Sequence, residues 1–242
     1  MFNPQAPPAD VSTRSLVFRQ ALAAAFRSRR QNLPPAPASL PALLSGCQNG
    51  VQGLLGRPGC RDALGEIRAR LFHTPGRDAE AQAWWHEGIA SAVFAARVAQ
   101  WKQAAVPVAF LGALLHRSGE ALALKMLARV ELEYRMKLDS SSRREWCTTH
   151  ASELAERLMR TWSLSEPIGR CVLGWMRVGE FDAVSEECTA VYFGRLFAIE
   201  FLQPDFCVPG ALDHAAADAG LSADLVAQVR QEDVRSLIRA LD

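Results

Sequence analysis

Residues 78–102 read DAEAQAWWHEGIASAVFAARVAQWK, and this stretch decides the fold class. Its apolar side chains recur every three or four positions, at Trp85, Ile89, Ala92, Val93, Ala96 and Ala99. That spacing places them on one face of an α-helix. The stretch therefore predicts one long helix with a wide apolar stripe, which needs other helices to pack against it.

The segments on either side carry the same helical periodicity. Helices are predicted at residues 12–30, 60–72, 107–115, 121–138, 143–162 and 186–202, and others begin after Ser165 and, as the last helix, after Ser222. Gly119 is predicted to break the chain between two helices, and four prolines make residues 33–41 an extended connector. Alternation of period two never persists, so no strand is expected.

These patterns predict an all-α fold, a compact multi-helix bundle with an N-terminal helical extension. Residues 1–45 are expected to form the first helix and the proline-rich connector, and residues 46–242 the helical domain. The arginine-rich stretch at residues 12–30 also fits an organelle transit peptide, but a first helix after Ser12 explains it as well.

The composition favours a globular protein over a disordered or membrane-spanning one. The 242 residues are 49% hydrophobic with a net charge of +1, which is typical of a globular chain without a general attraction for nucleic acid or acidic membranes. No apolar run reaches the roughly 18–20 residues of a membrane span. Six scattered cysteines without a CxxC pair favour reduced thiols in a cytoplasmic protein.

Three histidines, His86, His116 and His150, lie in the predicted helical core. Histidines that meet from separate helices can form a metal pocket inside a bundle. A single histidine near an apolar face is more often a hydrogen-bonded core residue than a ligand, and this reading stays open for each of the three.

The segments around these histidines resemble the HDOD domain family, which consists of degenerate relatives of the HD-domain metal-dependent phosphohydrolases. They are WHEGIA at residues 85–90, FLGALLHRSG at residues 110–119, and HASEL to WSLSEPI at residues 150–168. The second is similar to the LLHDIG segment of HD domains. The resemblance covers roughly residues 80–180 and implies an HD-like helical bundle with a bacterial signal-transduction role exerted through binding partners.

The resemblance maps the adjacent metal-binding His and Asp of active HD enzymes onto His116 and Arg117. A guanidinium carries a fixed positive charge and no acceptor, so it repels a divalent cation at close range. Another arginine, Arg195, stands near the place of a later aspartate of the active pattern. We therefore expect no catalytic residue, metal or cofactor, and predict that His86, His116, Arg117 and His150 form a vestigial site or a ligand pocket.

Two roles are open for Arg117. It can occupy the former metal position and bond a carboxylate such as Glu87 or Glu120, which is the favoured interpretation. It can instead bind a phosphate or carboxylate ligand.

Three functions follow from these alternatives. The leading hypothesis is a non-catalytic bacterial regulatory protein that acts by protein–protein interaction. The second is a metal-dependent phosphohydrolase or phosphodiesterase, which the three histidines favour. The third is a nucleotide-binding sensor without turnover. The six tryptophans read as core or rim aromatics and the cluster Arg27, Arg29 and Arg30 as a solvated helix end, so nucleic acid is not expected as a partner.

Overall fold

The computed structural model describes residues 33–46, 56–174 and 185–242, together with residues 17, 18, 20, 22–24 and 53. Regular secondary structure in these residues is helical without exception, which confirms the predicted all-α fold. The α-helices are α1 (Leu40–Gly46), α2 (Pro58–Ile67), α3 (Asp78–Trp101), α4 (Val106–Leu115), α5 (Ser118–Tyr134), α6 (Ser140–Thr161), α7 (Glu166–Gly174), α8 (Glu186–Leu202), α9 (Ala211–Asp218), α10 (Ala223–Arg230) and α11 (Val234–Leu241).

Helix α3 is the centre of the bundle, as its apolar stripe predicts. It packs against α4, α8, α10 and α11, and residues 87–96 are buried without interruption. Small residues allow the closest of these contacts. A Cβ atom added to Gly194 of α8 would lie 2.5 Å from the carbonyl oxygen of Ser91, so the two helices touch through their backbones.

Helices α4 and α5 follow the predicted order, but Gly119 has a different role. Pro107 lies in the first turn of α4, which ends at Leu115 as predicted. Gly119 does not break the chain, because it lies in the first turn of α5. A Cβ atom there would lie 2.1 Å from the carbonyl oxygen of Ala151 in α6, so glycine is needed for close helix packing.

The N-terminal part agrees with the predictions at residues 60–72, where α2 continues as a π-helical turn over Arg68–Phe72. The connector ends earlier than predicted, because α1 begins at Leu40. The indole Nε1 of Trp162 donates to the Pro34 carbonyl at 2.8 Å and fixes the connector to the bundle. Most of the predicted helix at residues 12–30 lies outside the described residues; Phe18 and Leu22, which are described, are helical and buried.

The C-terminal part contains two predicted and two unpredicted features. Helix α8 has the predicted bounds, and the Ser222 side chain caps α10 by accepting from the Leu225 amide. The prediction that this helix is the last one is wrong, since α11 follows with Asp233 as its cap. The short helix α9 was not predicted. No helix among the described residues has both the length and the apolar character needed to cross a bilayer.

Candidate functional site

A network of charged side chains surrounds Glu87 in the middle of α3. We call Glu87, His116, Arg117, Glu120 and Arg195 the Glu87 cluster. The Nη2 atom of Arg117 lies 3.1 Å from Glu87 Oε2, and the Nε atom of Arg195 lies 3.2 Å from Glu87 Oε1. The Nη1 atom of Arg117 also donates to Glu120 Oε1 at 3.2 Å. The sequence offered Glu87 or Glu120 as a partner of Arg117, and in the structure Arg117 bonds both.

His116 approaches the same carboxylate from the end of α4. Its Nε2 atom lies 3.4 Å from Glu87 Oε1, and its Nδ1 atom lies 2.5 Å from the carbonyl oxygen of Ala113. Both ring nitrogens thus face oxygen atoms of the protein. The imidazole is buried, so its orientation is fixed by these two contacts and by the surrounding helices.

The charges in the cluster keep Glu87 ionised. Burial raises the pKa of Glu87, but the hydrogen bond with His116 and the charges of Arg117 and Arg195 together lower it to about 2. Burial acts against the charge of Arg117, yet the two glutamates raise the pKa of this residue above its ordinary value. The cluster is therefore an internal ion network in which buried charges are paired.

The donor set of the cluster does not fit the divalent metal that the HD resemblance implies. Such an ion needs anionic oxygens and neutral imidazoles as ligands. Both oxygens of Glu87 accept from guanidinium groups, and His116 faces acceptors through both nitrogens. Among the residues that the structure describes, no three or more His, Cys, Asp or Glu side chains are grouped to hold a metal ion.

His86 and His150, the other two predicted site residues, make different contacts. His86 directly precedes Glu87 on α3. Because a helix turns by about 100° per residue, the two side chains leave the helix in different directions. Its Nε2 atom lies 2.9 Å from Asp242 Oδ1, next to α11. His150 stacks at a tilt on Trp146 with ring centroids 4.6 Å apart, and burial lowers its pKa. The structure thus joins His116 and Arg117, and their common partner is Glu87.

Arg195 is the member of the cluster whose role the sequence did not predict. The family pattern marked its position only as that of a missing aspartate. Its contact with Glu87 joins residues 108 positions apart and depends on how α8 lies across α3. The resemblance was the one available signal, since it placed arginines at two positions where active enzymes carry acidic ligands.

Comparison with known proteins gives a family match over the middle of the chain. The family model of the HDOD domain matches residues 64–174, a range that contains His86, His116, Arg117 and His150. No curated protein and no solved structure matches the chain significantly. Arg195 lies C-terminal to the matched range. Its helix, α8, nevertheless packs on α3, which is inside that range. Residues 64–174, a little under half of this chain, therefore match the HDOD domain family.

Proposed function

We propose that this protein is a non-catalytic regulator in bacterial signal transduction, which acts in the cytoplasm by binding a protein partner. The observation that carries the proposal is the pairing of Arg117 and Arg195 with Glu87. In the HD resemblance, both arginines stand where active enzymes have acidic metal ligands. The partner-binding role rests on what the HDOD family resemblance implies.

The chemistry of the cluster argues against phosphoester hydrolysis. An HD-type centre obtains its nucleophile from metal-bound water. Here two guanidinium groups donate to Glu87 at 3.1–3.4 Å, and they would repel a divalent ion at the same place. Glu87 is also a poor general base, since its pKa of about 2 leaves it little affinity for a proton at neutral pH.

Metal content and turnover, measured on the same preparation, test this proposal. The purified protein is incubated with Mn²⁺, desalted, and assayed for bound metal and for hydrolysis of bis(p-nitrophenyl) phosphate. We expect much less than one ion per chain and no turnover above buffer. The double variant Arg117→Asp/Arg195→Asp replaces both cations by oxygen ligands and is expected to retain more Mn²⁺ than the wild type. Stoichiometric metal with turnover in the wild type would establish the phosphohydrolase alternative.

A nucleotide-binding sensor is the second candidate, and one observation favours it. The side chains of Arg117 and Arg195 remain 22% and 23% exposed, and guanidinium groups are suited to binding phosphate. Such a ligand has to compete with Glu87 for them. The sensor predicts that a cyclic dinucleotide raises the melting temperature and that Arg117→Ala abolishes this shift.

The matched control for this test is Arg230→Ala. Arg230 also pairs with two carboxylates, those of Glu200 and Asp213, but it lies in α10. A sensor keeps its nucleotide response in this variant. The leading proposal expects no shift with the wild type or with either variant.

A further inference from the structure

Two thiols meet where α7 and α8 pack together. The Sγ atoms of Cys171 in α7 and Cys188 in the first turn of α8 lie 3.5 Å apart, within hydrogen-bond distance for sulfur. Cys171 is fully buried, whereas Cys188 keeps 6% of its surface exposed. Of the two residues, only Cys188 has any exposed surface, so we expect a reagent in solution to reach Cys188 first.

The surroundings give the two thiols different reactivities. The hydrogen bond with Cys171 lowers the pKa of Cys188, while this bond and burial raise the pKa of Cys171. Cys188 also lies at the N-terminus of α8, where the backbone amides favour a thiolate. This is the arrangement of an attacking thiolate beside a protonated resolving thiol.

The other buried thiols of the described residues have a different environment. Burial raises the pKa of Cys147 to about 12 and also raises the pKa of Cys60. Cys147 and Cys60 are therefore expected to remain protonated and unreactive at neutral pH. The contrast singles out the pair at the α7–α8 contact.

We propose that Cys171 and Cys188 are a redox pair that forms a reversible disulfide with low-molecular-weight disulfides as the oxidant. The Cys188 thiolate attacks one sulfur of the oxidant, which forms a mixed disulfide and releases one thiolate. Cys171 then attacks the Cys188 sulfur of the mixed disulfide, and its proton passes to the second small-molecule sulfur, which leaves as a thiol. Two cysteine thiols are oxidised by two electrons, and one small disulfide is reduced to two thiols.

The two sulfur atoms lie close together, and a disulfide between them would link two helices. The sulfurs must approach by roughly 1.5 Å to reach a bond length of about 2 Å. Cys171 packs directly on α4, because a Cβ atom added to Gly112 would lie 2.4 Å from the Cβ of Cys171. The bond would tie α7 to α8 behind the helix whose end carries His116.

Peptide mapping under native conditions tests the proposal. The protein is treated with oxidised glutathione, its free thiols are alkylated, and it is digested with trypsin without reduction. Cleavage after Arg170, Arg177 and Arg195 places the two cysteines in separate peptides, residues 171–177 and 178–195. We expect these peptides to be linked, with a mass lower than their sum by two hydrogen atoms, and to separate on reduction.

Single variants distinguish the two roles. Cys171→Ser is expected to stop at a glutathione adduct on Cys188, whereas Cys188→Ser leaves Cys171 unmodified. The control Cys207→Ser removes a partly exposed thiol outside the pair and keeps the link.

The opposite pattern overturns the proposal. It fails if natively folded wild-type protein gives no linked peptide while Cys207 takes up glutathione. It also fails if Cys188 remains unmodified in Cys171→Ser. If a serine variant fails to fold, the peptide map of the wild-type protein still tests whether the disulfide forms. Its circular dichroism spectrum shows whether the protein stays folded during oxidation.

Discussion

At the scale of single residues, the carboxylate of Glu87 balances several positive groups inside the helical core. Replacing it by the neutral amide in Glu87→Gln leaves Arg117 and Arg195 without their shared counter-charge. Loss of one partner of a buried ion pair costs about 3 kcal/mol, because the remaining charge is uncompensated. We expect this decrease in the free energy of unfolding, measured by urea titration at pH 7.

A surface pair provides the control for this variant. Glu186 contacts Lys102 at 2.8 Å, but its side chain is 56% exposed. Exposed pairs contribute less than about 1 kcal/mol, so Glu186→Gln should change stability little. Equal losses in the two variants would show that the Glu87 cluster does not stabilise the core.

The same carboxylate predicts a dependence of stability on pH. The pKa of Glu87 falls from an ordinary 4.5 to about 2 in the folded protein. A lowered pKa stabilises the fold fully above the unfolded value, and this stabilisation is lost as the pH falls from about 4.5 towards 2. The shift corresponds to about 3 kcal/mol.

Urea titrations of the wild type and Glu87→Gln between pH 7 and pH 2.5 measure this effect. Because other carboxylates titrate in both proteins, the difference between their unfolding free energies isolates Glu87. We expect the difference to stay constant down to about pH 5 and to shrink below it. A difference that is independent of pH would contradict the assigned charge state.

The sequence predicted part of this site, and the limit has a physical reason. The sequence offered Glu87 or Glu120 as the carboxylate that bonds Arg117. The contact with Glu120 is local, because positions three residues apart lie close together near the start of a helix. The place of Arg195 depends on the packing of α8 against α3, and no local pattern encodes that contact. The contact of His86 could not be predicted for the same reason, because its partner Asp242 is 156 positions away in the sequence.

At the scale of helices, close backbone contact makes Gly119 sensitive to substitution. In Gly119→Ala the new Cβ atom would lie 2.1 Å from the carbonyl oxygen of Ala151. This oxygen is part of the backbone, so relieving the clash requires a helix to move. Overpacking of this kind costs about 1–3 kcal/mol, so α5 and α6 should separate and the melting temperature should fall.

Gly65 in α2 is the matched control, because nothing lies within 4 Å of its added Cβ atom. Gly65→Ala should stabilise the protein by about 0.5–1 kcal/mol through helix propensity. Both variants are compared by thermal and urea unfolding. A stabilised Gly119→Ala protein would mean that α5 and α6 are not in contact at this point.

The long helices were predicted from their periodicity, which needs several turns to be recognised, whereas the eight-residue α10 was predicted from its Ser222 cap. Helices α3 and α8 carry enough apolar positions for this, and their bounds agree with the prediction. Helices α9 and α11 have eight residues each, and α11 buries only Val234 and Leu237. Such short helices are marginal alone and form through tertiary contacts, which a single sequence does not reveal.

At the scale of the whole molecule, the packed core extends beyond the residues that match the HDOD model. Helix α8 follows the matched range in sequence, yet it packs along α3, which belongs to that range. Phe197 of α8 contacts Phe94 of α3 with ring centroids 6.0 Å apart, and Gly194 touches the α3 backbone. Without α8, the central helix loses cover for one apolar face and the Glu87 cluster loses Arg195.

We therefore predict that a fragment of residues 64–174 does not fold cooperatively, although it contains the entire family match. Exposed apolar surface along α3 should give a broad thermal transition and strong binding of the dye ANS. A fragment of residues 64–202 differs only by the segment that ends with α8, and we expect a sharper transition and weaker dye binding. Circular dichroism melts of both fragments beside the full chain measure this. If residues 64–174 melt as sharply as the full chain, the HDOD segment is self-sufficient and α8 is an accessory to it.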